Sequence, residues 1–156
     1  MLFSDFLENK LIDWLFRGQA FGVTGASAGA GSGPTTLWLA LFTTIPSDAN
    51  VGGVEVSGGS YARISIASSL ANWAGTQSAG SIVASTGASG TTSNNVALAF
   101  VAPTANWGTI KGFGLYDAST GGNLIVIGTL TADAVVNSGD GVQTFTPSSL
   151  ILQVDN

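Results

Sequence analysis

The segment "GGVEVSGGSYARISI", residues 52–66, carries the densest set of side chains in this chain that could do chemistry. Five of them fall within nine positions: Glu55, Ser57, Ser60, Tyr61 and Arg63. A serine acts as a nucleophile only when a neighbouring base takes its proton, and Glu55 is the candidate base in this segment. The chain has no histidine and no cysteine, which excludes Ser-His-Asp and Cys-His arrangements and zinc sites built from imidazole or thiolate. We therefore predict a glycine-permitted turn that feeds a strand, in which Glu55 pairs with Arg63 or either residue contacts a neighbouring subunit.

Paired carboxylates are the remaining route to hydrolysis, since a glycosidase needs two of them at a fixed separation. The strand-rich part of the chain offers six, nearly all in turn contexts: Asp48, Glu55, Asp117, Asp133, Asp140 and Asp155. Aspartate in a turn accepts hydrogen bonds from nearby backbone N–H groups, and we favour this role over a catalytic pair. The segments "DANVGGVE" and "NSGDG" lack the alternating acidic spacing of calcium loops. These patterns predict no catalytic residue, no metal site and no cofactor.

The four tryptophans could stack on a sugar ring or a nucleic-acid base: Trp14, Trp38, Trp73 and Trp107. Trp73 in "ANWAGT" and Trp107 in "ANWGT" share a local pattern that is typical of a strand entry, where the indole closes one end of the core. Because no basic groove accompanies them, we favour packing in or at the edge of the core.

Charge and composition narrow the functional classes further. Of 156 residues, 45% are apolar and only 8% are charged, and the net charge is −5. A surface so poor in charge favours a protein that lies against other copies or partners, although a secreted adhesin would look similar. The four basic residues are scattered, so the chain lacks the footprint that nucleic acids or anionic membranes require. No apolar run is long enough for a transmembrane helix, and the N-terminal segment lacks the pattern of a signal peptide.

The N-terminal segment predicts the one sizeable helix, over roughly residues 4–17, within a helical arm at 1–20. Apolar residues recur along it at helical spacing: Phe3, Phe6, Leu7, Leu11, Trp14 and Leu15. Ser4 can cap its start, Gly18 can end it, and Asp13 lies four residues before Arg17. The wide apolar surface favours an interaction arm anchored by Phe6 and Trp14, although the helix could also simply cover an open end of the core.

The rest of the chain predicts strands. Residues 21–34 are rich in Gly, Ala and Ser and predict a linker or loop, and residues 35–156 predict one β domain. About eight segments have the pattern of strands, separated by turn signals, which is typical of an antiparallel β-sandwich of jelly-roll type. Strands are expected on both sides of a polar loop at 87–95, with "SIVAST" at 81–86 before it. The turn "DASTGGN" predicts the clearest hairpin.

Four segments in fixed order carry a resemblance to a known family: "LENKLIDWLFRG", "WLALFTTIPSDA", "EVSGGSYARISI" and "ANWGTIKGFGLYDASTGGNLIVIGTLT". Together they span nearly the whole chain, and "SGGSYAR" and "YDASTGGNL" are the most specific parts. The sequence resembles a family of small tailed-bacteriophage virion proteins described as tail-fibre-like or minor structural proteins. This resemblance implies a component of the virion, assembled in the host bacterial cytoplasm, and implies no catalytic residue.

The leading hypothesis is therefore a non-enzymatic, homo-oligomeric decoration protein that cements the phage capsid by bridging major capsid subunits. The alternative is a tail component, such as a baseplate, fibre-attachment or receptor-binding subunit, and a polysaccharide hydrolase is a more distant third class. The expected partners are the major capsid protein or other virion proteins, with neither nucleic acid nor membrane. The residues expected at the partner interface are Phe3, Phe6, Leu7, Leu11, Trp14, Tyr61 and Arg63.

Overall fold

The computed structural model describes residues 3–23 and 33–154, in which the chain forms one helix and nine strands. Helix α1 spans Asp5–Arg17. The strands are β1 (Thr36–Thr44), β2 (Val54–Glu55), β3 (Ile64–Ala67), β4 (Thr91–Ser93), β5 (Leu98–Ala99), β6 (Gly108–Tyr116), β7 (Leu124–Val136), β8 (Thr144–Phe145) and β9 (Ile151–Gln153). Within the described ranges, no helix is long and apolar enough to cross a membrane.

The largest sheet runs in the order β2-β1-β6-β7, and β3 also pairs with β1. Strand β1 is antiparallel to β2 and β6, and β6 is antiparallel to β7. Two further pairs are β4 with β9 and β5 with β8. The prediction of a mostly β protein with antiparallel sheets after one N-terminal helix is confirmed. The finer prediction, a jelly-roll sandwich of about eight strands, stays a prediction.

The hairpin predicted at "DASTGGN" connects β6 to β7. Tyr116 is the Cα partner of Leu124, so the strands pair right up to the turn between them. Asp117 serves this turn as predicted, because its carboxylate accepts hydrogen bonds from the backbone N–H and the side-chain amide of Asn123, both at 2.7 Å. The hydrogen bonds from Asn123 hold the pKa of the Asp117 carboxyl below its usual range. The turn is therefore closed by a charged acceptor.

Two details of the strand prediction are wrong. Residues 81–86 form no strand, because the carbonyl oxygens of Ser81 and Val83 accept hydrogen bonds from a guanidinium instead of a neighbouring strand. The segment 87–95, predicted as a polar loop, contains β4, and Thr92 and Asn94 in it are buried. The Thr92 hydroxyl donates to Ala74 O at 2.7 Å, so its polar group is satisfied inside the structure.

The chain divides into two compact units. The first contains the described residues of 1–35, 67–98 and 145–156, and the second contains 36–66 and 99–144. Helix α1, β4 and β9 lie in the first unit, whereas β1, β2, β6 and β7 lie in the second. The predicted division into an arm at 1–20, a linker at 21–34 and a domain at 35–156 stays a prediction, and most of that linker lies outside the described residues.

The caps of α1 are those predicted from the sequence. The Ser4 hydroxyl accepts from Leu7 N, and Gly18 ends the helix in the left-handed region at φ 66°. The buried side of the helix is not the predicted apolar stripe, however. Its buried residues are Glu8, Ile12, Asp13, Phe16 and Arg17. The helix therefore packs on its own unit through a face that contains charged residues.

Phe16 is the main apolar anchor of that face. It is 1% exposed, and its ring centroid lies 5.2 Å from that of Trp73, which is fully buried. Phe6, on another side of the helix, is 57% exposed. The two phenylalanines thus have opposite environments on one helix.

We expect Phe16→Ala to lower the free energy of unfolding by about 3–5 kcal/mol, because it removes buried apolar surface and leaves a cavity. Phe6→Ala is the matched control and should change it by no more than about 0.5 kcal/mol. Urea unfolding followed by tryptophan fluorescence measures both. Equal losses for the two variants would show that the helix does not pack through Phe16.

Candidate functional site

The segment 57–61 is a turn built from left-handed residues. Gly58, Gly59 and Ser60 follow one another at φ 73°, 55° and 67°, and Tyr61 N donates to Gly58 O at 2.9 Å. A side chain on Gly59 would place its Cβ 2.8 Å from the backbone nitrogen of Ala105, whereas one on Gly58 would meet nothing within 4 Å. This geometry confirms the predicted glycine-permitted turn and shows why glycine stands there.

Glu55 and Arg63 form a two-pronged ion pair across this turn, as predicted. Arg63 Nε donates to Glu55 Oε1 at 2.9 Å, and Arg63 Nη2 donates to Glu55 Oε2 at 2.7 Å. The hydrogen bond with Glu55 raises the pKa of the guanidinium. The parallel arrangement is the strong, directional form of an arginine–carboxylate pair.

The same guanidinium also holds the β6–β7 turn. Its Nη1 donates to the carbonyl oxygens of Ala118 at 2.9 Å and Gly121 at 2.8 Å. Its Cζ lies 3.6 Å from the centroid of the Tyr116 ring, a cation–π contact. One side chain therefore ties the 52–63 segment to the turn that follows β6.

Tyr61 is fixed by hydrogen bonds of its hydroxyl and by contacts of its ring. Its hydroxyl donates to Glu55 Oε1 at 3.1 Å and accepts from Leu41 N at 2.8 Å. Its ring stacks on Phe100 with centroids 5.8 Å apart and meets Trp107 edge-on at 5.4 Å. Burial raises the pKa of the Tyr61 hydroxyl well above its usual range, so the group stays protonated and cannot serve as a base near neutral pH.

The serine hydroxyls of this segment have no activating base. Ser60 Oγ bonds to the Thr104 hydroxyl at 2.8 Å rather than to a carboxylate. Asp140, another carboxylate with a predicted turn role, accepts from Asn137 N at 2.6 Å. In the parts of the chain that the structure describes, no group of three or more acidic side chains is placed to hold a metal ion.

A groove of about 500 Å³ lies beside this cluster, within the second unit. Its lining is mostly small or hydroxylated residues together with one indole: Trp38, Glu55, Val56, Ser57, Gly58, Tyr61, Ala62, Arg63, Ser119, Thr120 and Gly121. The Glu55–Arg63 pair contributes the charged side chains of this lining, and each charge faces its opposite.

The first unit contains a second arginine in the same kind of environment. Arg17 is fully buried, and its Nη1 lies 2.6 Å from Asp13 Oδ1. Its other partners are the carbonyl oxygens of Trp73, Ser81 and Val83 and the Ser85 hydroxyl. The sequence predicted the pairing of Asp13 with Arg17, but not that the pair is buried or that it organises residues 81–85.

The predicted interface residues therefore separate into groups. Tyr61 and Arg63 lie together in the second unit, where their polar atoms have partners within the chain. The five N-terminal residues belong to the first unit: Phe3, just before α1, and Phe6 are exposed, and Leu7, Leu11 and Trp14 are partly buried. A role for any of them at a partner interface stays a prediction. Tyr116 was missed, and its only sequence signal is its position directly before the predicted hairpin turn.

Two glycines allow a direct test of the turn. We expect Gly58→Ala to cost about 1 kcal/mol of stability, since an L residue at positive φ is strained. Gly59→Ala adds an overlap with the Ala105 backbone, and we expect it to cost at least about 1 kcal/mol more. Denaturant midpoints of the two variants, measured side by side, give the difference. Equal midpoints would mean that the close approach at Gly59 does not occur.

A comparison with models of protein families identifies what the chain is similar to. A family model described as podophage GP4 fiber I protein gp80 matches residues 2–153. A search of curated proteins found no match. The family match covers nearly the whole chain and confirms the resemblance to tail-fibre-like virion proteins. The protein thus belongs to the family of the podophage GP4 fiber I protein gp80, a family of tailed-phage virion structural proteins.

Proposed function

We propose that this protein is a non-enzymatic structural subunit of the phage fibre or of the tail part that carries it. Its family places it in the virion as a structural protein. The observation that carries the tail assignment is the match of residues 2–153 to a family described as a fiber protein. This description favours the tail alternative over the leading hypothesis of capsid decoration, for which neither the family nor the geometry offers support.

The state of the reactive groups supports a non-enzymatic role. A nucleophilic serine needs a base within hydrogen-bond reach, yet Ser60 bonds to Thr104 and Glu55 is occupied by Arg63 and Tyr61. Tyr61 itself is kept protonated by burial. The side chains that looked most capable of chemistry in the sequence serve the fold instead.

The exposed end of α1 is the surface that we propose for contacts with other virion proteins. Phe3, just before the helix, is 48% exposed, and Phe6, in its first turn, is 57% exposed, whereas another side of the helix is packed on its own unit. Large aromatic residues tend to dominate interface energetics, so these two are the preferred anchors. The partner is another virion protein or a second copy of this chain.

Cryo-EM of the complete virion tests the assignment. We expect density for this protein on the tail or its fibres, at a copy number far below that of the major capsid protein. Regular coverage of the head lattice would contradict the proposal and restore the capsid-decoration hypothesis.

A variant phage that carries Phe6→Ser tests the contact surface in the same particles. We expect the protein to fold, because Phe6 is 57% exposed and its one recorded ring contact among the described residues is with the Lys10 side chain. Its incorporation should fall, because the substitution removes an exposed aromatic ring from the proposed contact surface. Val101→Ser is a matched control, since Val101 is an exposed apolar residue, 65% accessible, in the second unit. Normal incorporation of Phe6→Ser would exclude this end of α1 as the contact.

A further inference from the structure

We propose that the groove beside the Glu55–Arg63 pair is a binding site for a neutral saccharide. This inference goes beyond the structural role of the protein and does not depend on where the protein sits in the virion. The groove belongs wholly to the second unit, and its volume of about 500 Å³ lies within the range of small-molecule sites.

Trp38 supplies a fixed aromatic surface in this groove. The residue lies in β1, where its Cα partner on β6 is Tyr116. Its half-buried indole packs against the core cluster of Ala40, Phe42 and Tyr116 and also lines the groove. A ring held from behind by the core can stack on the apolar C–H face of a sugar at little entropic cost.

The groove also presents hydrogen-bonding groups that the chain itself does not use. Ser57, Ser119 and Thr120 line it, and none of their hydroxyls has a hydrogen-bond partner among the described residues. The same is true of the Trp38 indole N–H. Each hydroxyl can donate and accept, which matches a ligand that carries several hydroxyl groups.

The charges of the groove favour a ligand without net charge. Glu55 and Arg63 neutralise each other through two parallel hydrogen bonds, and Nη1 of Arg63 is taken by the carbonyl oxygens of Ala118 and Gly121. No other charged residue lines the groove among those that the structure describes. An acidic sugar or a phosphate would find no uncompensated cation here, on a chain whose net charge is −5.

The wall that carries Ser119 and Thr120 is held in place before any ligand arrives. Arg63 binds the carbonyl oxygens on both sides of these two residues, at Ala118 and Gly121. The Asp117 carboxylate closes the same turn on Asn123. Such a wall loses little conformational freedom when a ligand binds, which favours affinity for a small solute.

NMR titration of the ¹⁵N-labelled full chain tests the site, with glucose, galactose, N-acetylglucosamine, lactose and maltose as probes. The Trp38 indole resonance is assigned from its loss in Trp38→Phe. We expect at least one probe to shift this resonance in a saturable way while the Trp14 indole resonance stays in place.

Trp38→Ala should weaken binding about tenfold or more. The double variant Ser119→Ala and Thr120→Ala, confined to an exposed turn, should weaken it several-fold without affecting the fold.

Glucuronate provides the matched control for charge, because a carboxylate replaces the C6 hydroxymethyl group of glucose. We expect it to bind more weakly than the neutral probes. Three results would overturn the proposal: no probe shifts the Trp38 resonance, binding survives unchanged in the Ser119→Ala and Thr120→Ala double variant, or glucuronate binds as tightly as the neutral sugars. None of these results bears on the location of the protein in the virion, so the two proposals fail independently.

Discussion

Two arginines that bind a carboxylate and backbone carbonyls of the same chain organise this protein. A guanidinium has five N–H donors in a rigid fork, and burying it costs several kcal/mol unless a carboxylate and further acceptors receive them. Arg17 makes five such hydrogen bonds, with Asp13, Ser85 and three backbone carbonyls, and Arg63 makes four, with Glu55 and two backbone carbonyls. Ser81 and Val83, which Arg17 binds, and Ala118 and Gly121, which Arg63 binds, lie in segments without regular secondary structure. In both units the arginine supplies hydrogen-bond donors to backbone carbonyls of such a segment.

This arrangement bears directly on function. The chain has only four basic residues, and two of them are committed to internal contacts. The surface is therefore poor in free basic groups and rich in small, hydroxylated and apolar ones. Such a surface suits lasting contacts within an assembled particle more than the binding of a charged substrate. Membership of a phage fiber family agrees with such a surface. Phe3 and Phe6 near the start of α1 and the groove beside Trp38 are the two surfaces that we propose for contacts outside the chain.

Local patterns in the sequence predicted the local structure well. The helix caps at Ser4 and Gly18, the hairpin at Asp117–Asn123 and the pairing of Glu55 with Arg63 each depend on residues close together in the chain. The buried face of α1 could not be predicted in this way. Apolar spacing pointed to Phe6 and Trp14, whereas burial follows Asp13 and Arg17, whose side-chain hydrogen-bond partners other than each other lie more than 50 residues away. The spacing of apolar residues predicts which side of a helix is buried, but it cannot predict that a charged pair is buried.

The polar segment around β4 shows the same limit. Thr92 and Asn94 have the composition of a loop, yet both are buried. The Asn94 side chain donates to the carbonyl oxygens of Val96 and Thr146 and accepts from Leu150 N, each at 2.8 Å. Burial of such residues is determined by distant backbone groups that need partners. Those partners are distant in the sequence and meet only in the folded chain. Neither strand β4 nor the segment at 81–85 that Arg17 binds could therefore be predicted from the sequence.

A double-mutant cycle between Glu55→Gln and Arg63→Met tests most directly whether the charged groups of the candidate site serve the fold. Denaturant unfolding of the parent protein, the two single variants and the double variant gives the coupling energy. We expect each single variant to be destabilised and the coupling to reach about 1–3 kcal/mol, because the two side chains share hydrogen bonds that neither can replace. A coupling near zero with unchanged stability would contradict the account, since it would leave Arg63 free for a role outside the chain.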